Sequence, residues 1–129
     1  MARASVLAIG MDPAFVDLAG APGLTPELVR HYLDSQIAGV RARGFDVANC
    51  LIDDGDTAAS VVAAALRTGT FDCVLIGAGL REPADQLPLF EKVLNLVHAL
   101  APRARICFNT NPAGTGDAIE RCLAARPPT

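Results

Sequence analysis

The sequence predicts an α/β fold: a three-layer α/β/α sandwich on a four-stranded parallel sheet, with strand order 2-1-3-4. Short apolar runs recur along the chain at Ser5–Gly10, Phe45–Ile52, Cys73–Gly77 and Arg105–Phe108. Continuous runs of this kind suit strands covered on both faces. Between them lie longer stretches with apolar residues at helical spacing, so strand and helix alternate, which implies βαβ units. The chain has 129 residues, 51% of them hydrophobic and 19% charged. That is enough for one α/β domain over 1–129, and too apolar for a disordered chain.

The first strand, Ser5–Gly10, gives way to a Pro- and Gly-rich loop from Met11 to Leu24. Thr25-Pro26-Glu27 then opens a helix, with threonine as N-cap, proline in the first turn and an acid beside the positive helix end. Val29, Leu33, Ile37 and Val40 form one stripe, and Gly44 ends the helix. Phe45–Ile52 is the second strand. The acidic turn Asp53-Asp54-Gly55-Asp56-Thr57 follows, with Asp56 or Thr57 capping an alanine-rich helix that carries Val61, Val62, Ala65 and Leu66. Gly69 ends that helix, and Cys73–Gly77 is the most apolar strand. A loop over Ala78–Leu87 leads to a helix from Pro88, with Phe90, Val93, Leu94, Val97 and Ala101 facing inward and Pro102 as its stop. Arg105–Phe108 is the fourth strand and Asn109–Gly116 a polar loop. Thr115 caps the last helix, Asp117–Ala125, with Ile119, Cys122 and Leu123 apolar, before a Pro127-Pro128-Thr129 tail.

Right-handed crossovers limit the strand orders, and the flavodoxin-like, Rossmann-like order 2-1-3-4 is expected in preference to 3-2-1-4. The first and last helices then share one face of the sheet and the middle two the other.

Composition excludes several classes. No apolar run reaches the roughly 18 residues that span a membrane. Val6–Gly10, closed by Asp12-Pro13, is too short for a signal-peptide core, so a cytoplasmic location is expected. A formal charge of −3, five Phe, one Tyr and no Trp argue against a nucleic-acid surface. The four cysteines, Cys50, Cys73, Cys107 and Cys122, contain no C-x-x-C pair and sit in or beside apolar runs. They read as small buried hydrophobes in a reducing compartment.

Catalytic patterns are scarce. His31 and His98 fall on helices, no G-x-S-x-G elbow occurs, and no catalytic residue is assigned. Gly77-Ala78-Gly79 begins a G-x-G-x-x-G pattern whose third position is Glu82, so no dinucleotide and no other cofactor is expected. Gly114-Thr115-Gly116 reads as a connection with a threonine cap in preference to an anion site. Open α/β sheets bind ligands outside the carboxyl ends of their strands. The residues at those ends define a candidate polar crevice of Asp12, Asp53, Gly77, Gly79, Arg81, Asn109 and Thr110. Glycine admits a ligand close to the backbone, Arg81 offers a planar fork for an anion, and Asp12 can accept from hydroxyls. Asp12 with Asp53 or Asp54 also has the chemistry to hold Mg²⁺, against the alternative that the acids of the second loop are turn and cap residues.

Two resemblances add to this reading. Gly44–Leu123 resembles a response-regulator receiver domain, through the acidic turn Asp53–Asp56, the strand Phe71-Asp72-Cys73-Val74-Leu75-Ile76 and the later Ile106-Cys107-Phe108-Asn109-Thr110. Gly77 stands where a receiver has its phosphoacceptor aspartate, and Met11-Asp12 where it has an acidic pair, so acyl-phosphate chemistry is not expected. The whole chain resembles a group of small uncharacterised bacterial Rossmann-like α/β proteins, through Gly10-Met11-Asp12-Pro13, Asp72–Gly79 and Phe108-Asn109-Thr110. The expected function is a non-catalytic, pseudo-receiver-like binding or interaction module. The alternative is a small enzyme acting on a polar or phosphorylated metabolite through Asp12 and Arg81. A homodimer is expected because two sheet edges stay open.

Overall fold

The computed structural model describes residues 3–124, so the expectations for Ala125 and the proline tail lie outside the described residues. In chain order the elements are β1 (Ser5–Met11), α1 (Pro26–Ala42), β2 (Asp46–Ile52), α2 (Ala58–Leu66), β3 (Cys73–Ile76), α3 (Ala78–Arg81), α4 (Leu87–Leu100), β4 (Arg105–Phe108) and α5 (Thr115–Ala124). The sheet is parallel throughout, in the order β2-β1-β3-β4. The register sets Ile9 against Cys50 on one side and Ile76 on the other, with Phe108 beyond Ile76.

Strand alternation divides the core into two layers. Leu7, Ile9 and Met11 of β1, with Val74 and Ile76 of β3, face α2 and α4, where Val62, Leu66, Val93 and Val97 are buried. Val6 and Ala8, with Cys73, Leu75 and Cys107, face α1 and α5, where Ile37, Val40, Ala118 and Ile119 are buried. The first and last helices therefore share one face, as the sequence predicts.

Local chemistry explains the element ends. Thr25 Oγ1 accepts from Leu28 N at 3.2 Å at the start of α1, and Gly44 follows α1 with φ of 104°, a conformation that glycine adopts without a Cβ clash.

Several details depart from expectation. The loop predicted for Ala78–Leu87 contains the single-turn helix α3 and a 3₁₀ turn at Ala84–Gln86, because Leu80 is wholly buried and draws the chain onto the sheet. Thr115 is the first residue of α5 and not its cap; its hydroxyl donates to Pro112 O in the preceding 3₁₀ turn. Neither Asp56 nor Thr57 caps α2 through its side chain: the Thr57 hydroxyl donates to Asp53 Oδ2 instead. Val61 is exposed, since the buried stripe of α2 runs through Ala58, Val62 and Leu66. Phe45 precedes β2, Met11 extends β1, and Gly77 falls just outside β3.

Both outer edges of the sheet carry an arginine. Arg41 Nη2 donates to Val47 O at 2.9 Å on β2, and Arg121 Nη2 to Phe108 O at 3.1 Å on β4. Occupied edge carbonyls and local positive charge discourage strand addition.

Candidate functional site

A cavity of about 230 Å³ lies on the α1 face at the carboxyl ends of the strands. Its origin is a gradient of side-chain size. The β1 positions that face α1 run Val6, Ala8, Gly10, and those of β3 run Cys73, Leu75, then Gly77. The sheet surface thus falls away beneath the first half of α1. Ile37 and Val40 reach the sheet and are buried, whereas Val29 and Leu33 are half-buried and roof the cavity. Asn49 and Leu51 of β2 extend its floor, and Gln36 brings a second amide to it. The lining is mainly apolar.

Of the residues predicted to bind a ligand, Gly77, Gly79 and Asn109 line this cavity. A Cβ on Gly77 would stand 3.5 Å from Ile9 O, so the backbone there is closely approached but not crowded. Asn109 is 6% exposed and ties three segments together. Its Oδ1 accepts from Ala78 N at 2.9 Å, and its Nδ2 donates to Thr115 Oγ1 at 3.0 Å.

Asp12, Asp53, Arg81 and Thr110 do not line the cavity. Asp12 accepts from Ala14 N at 3.0 Å and from Arg30 Nη2 at 2.6 Å, so it closes the turn after β1 and pairs with α1. Arg81 Nη2 donates to Asn109 O at 2.7 Å, and its guanidinium carbon lies 5.5 Å from the centroid of Phe108. Phe108 packs with the α2–α4 core, so Arg81 is turned toward the face opposite the cavity. Its Nε is buried without a hydrogen-bond partner among the described residues, and its contact with Glu82 is long at 3.9 Å. Thr110 is exposed. Strand-end position places these residues at one end of the sheet but does not fix which way each side chain turns.

Asp53 accepts from the Thr57 hydroxyl and from Gly55 N, and these bonds, the hydroxyl first, hold its carboxyl below the ordinary aspartate value. Because the folded value is depressed, the stabilisation from this turn is complete above the unfolded aspartate value of about 3.9. It is lost as pH falls through the lower folded value. An NMR titration of the Gly55 amide and Thr57 is expected to report a midpoint below that of an unstructured aspartate, and Thr57→Ala to move it upward. An unchanged midpoint in Thr57→Ala would remove the hydroxyl as the cause.

The cysteines hold a feature that single-residue reading missed. Cys73, Cys107 and Cys122 have Sγ atoms all within 4.8 Å of one another, and Cys73 and Cys107 are 3.3 Å apart. The hydrogen bond with Cys107, aided by burial, pushes the Cys73 thiol up, and burial alone raises Cys50 on the opposite face. Among the described residues, this is the group of three or more Cys, His, Asp or Glu donors close enough to share an ion; the acidic residues at the strand ends form none. No helix of the described residues is long and apolar enough to cross a membrane. No protein-family model, curated protein or solved structure matches the chain.

Proposed function

We propose that this protein is a non-catalytic binding module that takes up a small, mainly apolar molecule between α1 and the carboxyl ends of β1 and β3. The observation that carries the reading is the cavity of about 230 Å³ that Ala8, Gly10 and Gly77 leave beneath Val29 and Leu33. A dry apolar cavity of roughly 150 Å³ accepts benzene, so this one suits a single substituted ring or a short branched chain. Polar groups of such a ligand would meet the amides of Gln36 and Asn49. Gly77, Gly79 and Asn109 form its mouth, while Asp12, Asp53, Arg81 and Thr110 stay candidates for contacts outside it, on the loops after the same strands.

The test is a thermal-shift screen of small metabolites, followed by measurement of each hit on Gly10→Val. Gly10 lines the cavity, and a Cβ there meets only Leu51 Cδ2 at 3.8 Å, so a side chain starts from this position without a backbone clash and valine extends it into the space. Binding is expected to weaken at least about tenfold, or 1.4 kcal/mol, with the fold retained by circular dichroism. Hits that bind Gly10→Val as they bind the parent would place the site elsewhere. No observation favours the enzyme alternative, because Asp12 and Arg81 are held by different partners on different segments.

The same reading includes a reducing, cytoplasmic setting, supported by four free cysteines, and kinship with the small bacterial Rossmann-like group. It also includes a homodimer. The arginines on both sheet edges direct the contact to helix surfaces, where Val61 is 39% and Leu87 53% exposed. Sedimentation is expected to show dimer at high micromolar concentration; monomer throughout would end that part of the reading.

A further inference from the structure

We propose that Cys73, Cys107 and Cys122 form a binding site for one soft, thiophilic metal ion held by three thiolates, with copper(I) as the ion that fits. The site is separate from the ligand cavity, whose lining includes none of the three.

Topology assembles the triad from distant parts of the chain. β3 and β4 are neighbours whose register sets Cys73 against Arg105 and Leu75 against Cys107. Cys73 and Cys107 are therefore diagonal neighbours on one face. That face is covered by α5, which buries Ala118 and Ile119 and brings Cys122 down beside them. All three Sγ atoms lie within 4.8 Å of one another. A metal bonded to sulfur at about 2.3 Å sets three coplanar sulfurs roughly 4.0 Å apart. The Cys73–Cys107 separation of 3.3 Å and the 4.8 Å limit on the whole triangle lie on either side of that spacing.

The donor set selects the ion. Three sulfurs with no imidazole or carboxylate in the group favour a soft ion and disfavour magnesium, calcium and manganese. The surroundings are apolar, with Leu75 and Ile119 buried alongside, and among the described residues they supply no fourth ligand of the kind that structural zinc takes from protein. Copper(I), which accepts three thiolates, needs none.

Access and charge also fit. Cys73 is wholly buried and Cys107 is 5% exposed, whereas Cys122 is partly exposed and marks the way in. Binding releases three S–H protons to solvent as three S–Cu bonds form, and copper remains monovalent. The product carries two negative charges. Arg105 and Arg121 flank it: Arg105 Nη1 donates to Cys122 O at 3.1 Å, and Arg121 reaches Phe108 O next to Cys107.

The experiment uses the reduced full chain under anaerobic conditions, with copper(I) delivered from a chromophoric chelator whose absorbance reports transfer. One copper per chain is expected, confirmed by native mass. Cys122→Ser is expected to lower affinity at least about 100-fold, since losing an outer-shell partner alone costs 10–100-fold. This variant changes a partly exposed helix position and so keeps the fold, which circular dichroism checks; Cys107→Ser is the second arm. Cys50→Ser, on the opposite face of the sheet, is expected to retain parental affinity. No copper uptake, uptake indifferent to Cys122→Ser and Cys107→Ser, uptake of zinc in preference to copper, or a Cys73–Cys107 disulfide in place of the metal complex would each overturn the proposal.

Discussion

Leu80→Ala is expected to lower the free energy of unfolding by about 2–5 kcal/mol, toward the upper end of what a buried leucine costs. Leu80 is wholly buried, in one core with Leu7, Ile9, Val93 and Val97. It sits on α3, a helix of a single turn. So short a helix has no stability of its own, because nucleation is unfavourable and propagation has hardly begun. The burial of this side chain is its apolar anchor, beside the hydrogen bonds that Ala78 N and Arg81 Nη2 give to Asn109. Removing three carbons loses their transfer free energy and leaves a void between β1 and α4, both of which α3 contacts. In a domain whose total stability is of order 5–15 kcal/mol, the loss is a large fraction of the whole. Urea denaturation is expected to show a lower midpoint with an unchanged slope. Leu28→Ala, at a position 53% exposed, is the control and should stay within about 0.5 kcal/mol. A Leu80→Ala effect as small as the control would mean that α3 is not a packed element.

Leu80 also marks where sequence reading stops. The strands are legible because four apolar runs, each bounded by glycine, proline or charge, leave little choice of element. Right-handed crossovers limit their order without separating 2-1-3-4 from 3-2-1-4, and the sharing of faces by α1 with α5 and α2 with α4 follows from the order observed. α3 is not legible: one leucine among Gly79, Arg81, Glu82 and Pro83 has no period to detect. The cavity is hidden for a different reason, because it is made of side chains that are missing. Ala8, Gly10 and Gly77 become informative only when strand parity and strand order are combined, which puts all three beneath α1. The same combination brings together Cys73 and Cys107, residues on adjacent strands with the same facing, although their separation along the chain matches no ligand motif. Asp12 and Arg81 show the converse. Both stand at strand ends, as the topology requires, yet Arg30 and the carbonyl of Asn109 fix their side chains. Neighbouring charges and carbonyls, which no spacing reveals, decide where such groups point.

Asn109→Ala is expected to cost about 2–3 kcal/mol and to loosen the mouth of the cavity. The side chain is buried and makes two hydrogen bonds of normal length, accepting from Ala78 N and donating to Thr115 Oγ1. Ala78 is the first residue of α3 and Thr115 the first of α5. One amide thus joins the starts of two helices across the tip of β4. Alanine leaves the Ala78 N–H without its acceptor, and a half-buried donor so abandoned costs about 1–3 kcal/mol. The space vacated by the amide adds to that. Thr115 keeps its bond to Pro112 O, at 2.8 Å, so the 3₁₀ turn ahead of α5 survives while its tie to β4 does not. A double-mutant cycle isolates the tie. Asn109→Ala and Thr115→Val each remove one end of the same bond, so their effects should fall short of additivity by at least about 0.5 kcal/mol. Additivity within about 0.3 kcal/mol would show that the bond contributes nothing measurable. Because Asn109 and Thr115 both line the cavity, ligands found in the screen are expected to bind Asn109→Ala more weakly than the parent, and equal affinity would separate the tie from the site.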